Sequence, residues 1–150
     1  MINASLLKNL IREPNWADSA GKACLSVDLS EANYSSEEVQ AISQWLRRQP
    51  VPVIGLLNND KRMLDAVDLI AETDSEVERL ASFIDQHPQA SAGLVQVTRV
   101  TMSLPVIAAL TVESLGYATL QGGEEFSRWL SGQNKTKVGD SDISAPVLME

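Results

Sequence analysis

Residues 51–57 read VPVIGLL, a nearly unbroken apolar run with no alternation of polar residues. Such a run suits a strand of a parallel sheet covered on both faces, because each face then needs apolar side chains. An earlier segment, residues 23–29 (ACLSVDL), alternates instead, with Leu25, Val27 and Leu29 on one side. It reads as a strand with one well-covered face. Between them Ser35-Ser36-Glu37-Glu38 forms a capping box, the Ser35 hydroxyl accepting from the backbone near Glu38 while the Glu38 carboxylate reaches back. The helix it opens carries an apolar stripe of Val39, Ile42, Trp45 and Leu46, and Pro50 stops it by driving the preceding residue out of helical conformation. Strand, capped helix, strand is a βαβ unit, so the fold class expected is α/β with a small, mainly parallel sheet.

The flanking segments extend this unit. Residues 4–11 (ASLLKNLI) have helical spacing and end before Pro14 and the Asp18-Ser19-Ala20-Gly21 loop. Residues 64–71 supply a third strand around Val67-Asp68-Leu69-Ile70. Thr73-x-x-Glu76 makes a second capping box for a helix with the face Val77, Leu80, Ala81 and Ile84. After His87-Pro88 a helix over residues 89–103 offers Leu94, Val97 and Val100 for burial. Another spans residues 105–120, with Gly122 placed to supply a left-handed cap. Phe126, Trp129 and Leu130 face one way on a last short helix that Gly132 ends. The expected organisation is an N-terminal helix and loop (1–20), one domain (21–132) and a polar tail without period (133–150), read as disordered.

Composition narrows the function classes. The net charge is −8, and no basic cluster stands against it, which excludes a nucleic-acid partner. Acidic residues crowd residues 60–85, from Asp60 to Asp85, and are expected to form a solvated face rather than a metal site. Cys24 is the single cysteine, so no disulfide can close within the chain and a reducing compartment is expected. No run approaches the roughly 20 apolar residues of a membrane span. The expectation is a cytoplasmic protein with no membrane partner.

Residues 88–130 combine a proline-started helix with a basic end, a helix carrying Glu113-Ser114 and Tyr117-x-x-Leu120, and then Glu125-Phe126-x-x-Trp129. This arrangement resembles the C-terminal helices of the enoyl-CoA hydratase/isomerase, or crotonase, family. Residues 23–29, 50–58 and 65–73 resemble shortened versions of three further family segments, two bearing oxyanion loops and the strand after the second. The resemblance implies a shortened crotonase-like fold, a CoA thioester as the one possible ligand and no other cofactor. It also implies that the C-terminal helices pack against a neighbouring subunit, with Leu115, Tyr117, Leu120, Phe126 and Trp129 available for the contact. A homo-oligomer or a complex with a full-length crotonase homologue is therefore the expected partner state.

The chemistry of that family does not carry over. It polarises a thioester carbonyl with two backbone N–H donors presented by glycine-rich turns. Here the corresponding loops read Ser30-Glu31-Ala32-Asn33-Tyr34-Ser35 and Asn58-Asn59-Asp60-Lys61-Arg62, without those glycines. The segment that bears the family's acid/base glutamate is deleted, because Glu72-Thr73-Asp74-Ser75-Glu76 leads directly into a helix. No catalytic, cofactor-binding or metal-ligating residue is assigned. His87 lacks a second ligand at metal spacing, Glu113 is expected on a helix surface, Cys24 in the core, and Ser26, Ser30 and Ser36 have no paired histidine. The expected function is a catalytically degenerate crotonase-like protein, a pseudoenzyme acting as an oligomeric or partner-binding module in acyl-CoA metabolism. Two alternatives stay open: an active hydratase/isomerase whose site another subunit completes, and a small α/β regulatory module resembling anti-sigma-factor antagonists.

Overall fold

The computed structural model describes residues 1–12, 21–30, 34–56 and 61–133. The α/β expectation holds. Three parallel strands, β1 (Leu25–Asp28), β2 (Val53–Leu56) and β3 (Leu69–Ala71), pair in sequence order. Among the described residues six α-helices accompany them: α1 (Ala4–Arg12), α2 (Ser36–Arg47), α3 (Asp74–Gln86), α4 (Pro88–Thr101), α5 (Val106–Gln121) and α6 (Glu124–Gly132).

The two strand patterns become two kinds of coverage. All four residues of β2 are buried, whereas β1 buries Leu25 and Val27 and leaves Ser26 and Asp28 half-buried. Leu25, Val27 and Val53 face a core layer that contains Leu7 of α1 and Ile42, Trp45 and Leu46 of α2. Ile54 and Leu56 face the opposite layer with Val77 and Ile84 of α3. Ile2 joins the sheet through a parallel bridge to Val27, so the N-terminal segment lies against the outer edge of β1.

The first capping box forms in full: Ser35 Oγ accepts from Glu38 N–H, and the Glu38 carboxylate accepts from Ser35 N–H at 2.9 Å. That backbone donor, with Lys8 at 2.9 Å, holds the Glu38 carboxyl below the ordinary glutamate range. The second box is half-formed. Thr73 Oγ1 accepts from Glu76 N–H, but the Glu76 carboxylate takes the N–H of Glu72 rather than of Thr73. The third strand is also shorter than expected, because residues 61–66 coil into a 3-10 helix (Lys61–Ala66) that seats Met63 and Ala66 in the core. Gly122 does not turn left-handed: it sits at φ −77°, and among the described residues only Gly21 has positive φ.

Gly55 is the tightest point of the sheet. A β-carbon there lies 2.9 Å from a methyl of Val67, a side chain with little rotamer freedom. Gly55→Ala is expected to lower unfolding free energy by about 1–3 kcal/mol, as overpacking does. Urea denaturation followed by circular dichroism reads this directly, and an unchanged midpoint defeats the expectation.

Candidate functional site

The chain's chemistry-bearing residues scatter, while its exposed apolar residues gather. Helices α4 and α5 run antiparallel, since Gly93 meets Leu120 and Gly116 meets Val97. A β-carbon at Gly116 lies 2.6 Å from Val97, so the missing side chain is what lets the two helices close up. Helix α6 folds back onto the start of α4. There the Glu125 carboxylate, 8% exposed, accepts from the N–H groups of Gln89 (2.9 Å) and Ala90 (3.0 Å). It satisfies two of the donors that a helix start leaves unpaired, and Pro88 removes a third.

The hairpin meets the sheet through polar groups. Arg99 of α4 donates Nε–H to Asp68 Oδ1 at 2.9 Å and a second bond to Oδ2, and also donates to the carbonyls of Gln49 and Val51. Asp68 Oδ2 in turn accepts from Val53 N–H at 2.8 Å, which ties the pair to the start of β2. Neither residue stood out in the sequence. They are 31 positions apart, and no local pattern marks them as partners.

Neither α4 nor α5 buries a residue. Leu94 and Val100, expected to be covered, are exposed, and of the three only Val97 is half-buried, against Gly116. On α5, Val106, Leu110 and Tyr117 share one side by their i, i+4, i+11 spacing, with Ile107 beside them. Ile107 is 77% exposed and Tyr117 64%. A helix apolar on every side is normally an interior one. This one lies at the surface.

At the far end of the hairpin, Tyr117, Leu120, Phe126 and Trp129 line an open groove of about 450 Å³ with His87 at its rim. The Phe126 and Trp129 rings stack at 5.6 Å. Of the residues singled out in the sequence, the fold brings together His87, Tyr117, Phe126 and Trp129. Glu113 stays apart and exposed. Ser30 is bound to its own loop, its hydroxyl donating to Asp28 at 2.6 Å. Ser36 is the exposed first residue of α2. Residues 13–20, 31–33, 57–60 and 134–150 lie outside the described residues, and with them nearly all of the N-terminal loop, half of the first loop compared with an oxyanion turn, more than half of the second and nearly all of the tail.

Cys24 packs beside the α3 layer. Burial, and then the Asp85 carboxylate, push its thiol above the ordinary value of 9.0, opposed by a hydrogen bond with Ser26. The thiolate is the reactive form, so this cysteine is a poor nucleophile. Iodoacetamide is expected to modify the native protein more slowly than the unfolded chain, with the onset displaced to higher pH. The unfolded thiol ionises first as pH climbs through about 9.0, so the contribution to stability present below that pH is lost above it. Equal alkylation rates in folded and unfolded chains defeat this reading.

Among the described residues, no three His, Cys, Asp or Glu side chains are placed to hold a metal ion, and no helix is long and apolar enough to cross a membrane. No protein-family model, curated protein or solved structure matches this chain.

Proposed function

We propose that this chain is a catalytically degenerate crotonase-like protein whose working surface is the apolar hairpin, and that it acts by associating with a second copy of itself or with a larger homologue. The observation that carries this reading is α5, a sixteen-residue helix that is apolar around its circumference and buries none of its residues. Monomeric proteins rarely expose contiguous apolar patches beyond a few hundred Å², and larger ones mark contact surfaces.

Charge supports the same reading. The chain carries −8, yet residues 88–121 hold only two charged side chains, Arg99 and Glu113, and Arg99 is turned into the Asp68 pair. A second copy can therefore approach this surface without the repulsion that the rest of the molecule provides. Trp129 and Tyr117 are the residue types that anchor interfaces, and they stand at the groove beside the exposed stripe.

The groove holds one carboxylate, Glu125, and both of its oxygens are taken by the N–H groups of Gln89 and Ala90; Glu113 lies away from the groove, and His87, which also lines it, has no hydrogen bond to a carboxylate or thiol in the described structure. The isolated protein is expected to show no hydration of short or medium enoyl-CoA thioesters in an ultraviolet assay. Turnover that disappears in Glu113→Gln overturns the non-catalytic part of the proposal. Light scattering tests the rest. A monomer at tens of micromolar, with no homologue retained in pull-downs against purified full-length crotonases, removes the association reading.

A further inference from the structure

We infer that α4, α5 and α6 form an arm that opens as a unit from the sheet body, hinged at His87–Pro88 and latched by the Arg99–Asp68 pair. The inference does not rest on the association proposed above.

Three observations converge on it. The first is what lies between arm and body. Beneath α4 is a solvent-open cleft of about 890 Å³, lined by Pro52, Leu64, Leu69 and Ile84 on the body and by Leu94 and Val95 on α4, with polar residues such as Asp65, Ser91 and Thr98 among them. Interiors that hold two elements together are packed to near-crystalline density, and here the walls stand apart. The cohesion that anchors α2 to the sheet through Ile42 and Leu46 has no counterpart for α4.

The second is where the attachment sits. Gln96 donates Nε2–H to the Gln49 carbonyl at 3.1 Å, and Arg99 takes Gln49, Val51 and Asp68. Both side chains belong to one turn of α4, and their partners are the last residue of α2, Arg47, whose carbonyl accepts from Arg99 at 3.4 Å, and residues just before β2 and β3. The joint is therefore a single polar spot at the cleft's rim, not a strip along the helix. The Arg99 and Asp68 side chains are only 16% and 14% exposed, so breaking their geometry on the closed arm leaves buried charge without a partner. That makes the contact close to all-or-none, as a latch must be.

The third is the hinge. One residue, His87, separates α3 from α4, at φ −137° and ψ 59°. Its N–H donates to Ile84 O, and Pro88 has no N–H to continue the ladder back into α3. A change of torsion at His87 thus swings the arm without breaking a hydrogen bond between the helices. Inside the arm, by contrast, the Gly116–Val97 and Gly93–Leu120 approaches and the Glu125 cap bind the three helices to one another. Segments with few buried contacts to the remainder open at lower free energy than the core, and they do so cooperatively.

Hydrogen exchange by mass spectrometry on the full chain, at a concentration where its mass is that of a monomer, tests the arm. Amides of residues 88–121 are expected to exchange about a hundredfold faster than those of β2 and of residues 42–46. Arg99→Gln is expected to accelerate exchange over residues 88–121 by about tenfold or more while leaving β2 and residues 42–46 unchanged. If Arg99→Gln fails to fold, Asp68→Asn serves, since it keeps an acceptor for Val53 N–H and removes only the charge; the same divided response is expected. Arm and body exchanging at one common rate, or either variant accelerating both alike, overturns the inference.

Discussion

Leu46→Ala is expected to lower unfolding free energy by about 2–5 kcal/mol, whereas Leu110→Ala is expected to change it by less than about 0.5 kcal/mol. Both substitutions remove the same atoms from a helical leucine. Leu46 is fully buried where α2 meets the sheet, in the layer that also holds Val27, Ile42 and Val53. Truncation there removes transfer energy and leaves a cavity that the flanking strands cannot close. Leu110 is 52% exposed on α5, so the same truncation leaves no cavity behind it. Alanine is also the better helix former, which offsets part of the lost contact. Denaturant unfolding of dilute monomer distinguishes the two. Equal losses at both positions mean that α5 is covered by the chain itself, and the association reading then fails with this prediction.

Leu110→Asp has its effect elsewhere. On a surface whose stripe is Val106, Leu110 and Tyr117, a carboxylate meets no cation from the same face. Placing that charge in the middle of an apolar contact leaves it desolvated and unpaired, at a cost of about 2–5 kcal/mol. Self-association or binding to a homologue is therefore expected to weaken by about thirtyfold or more. In the monomer the position remains solvated, so the circular dichroism spectrum is expected to stay that of the parent. Sedimentation equilibrium measures the first quantity. An unchanged association constant with an intact spectrum means that the stripe is not the contact.

These contrasts also mark how far the sequence reached. The βαβ unit was legible residue by residue: alternation over residues 23–29 produced a strand buried on one face, the unbroken run at residues 51–57 a strand buried on both, and Ser35 with Glu38 a complete cap. Each is a short-range matter, settled by a repeat of two or 3.6 residues or by a hydrogen bond across three positions. The errors were local as well. The third strand begins only at Leu69, because Met63 and Ala66 reach the core from a 3-10 helix, and the Glu76 carboxylate accepts from the N–H of Glu72 in place of that of Thr73.

Coverage was decided by tertiary structure alone. Helix α5 is richer in apolar residues than α2, yet α2 buries Ile42, Trp45 and Leu46 and α5 buries nothing. Hydrophobic pattern says that a face must be covered, not by what, and here the sheet offers its faces to α1, α2 and α3. The same holds for the polar contacts. Arg99 with Asp68, and Glu125 with the backbone of Gln89 and Ala90, join positions 31 to 36 residues apart, and Arg99, Asp68 and Glu125 are ordinary charged residues until the chain brings their partners near. Helix, strand and cap were therefore fixed within a few residues of one another, by backbone geometry and side-chain period. Which apolar surface is core and which is left open depends on contacts between distant segments, and only the fold determines those.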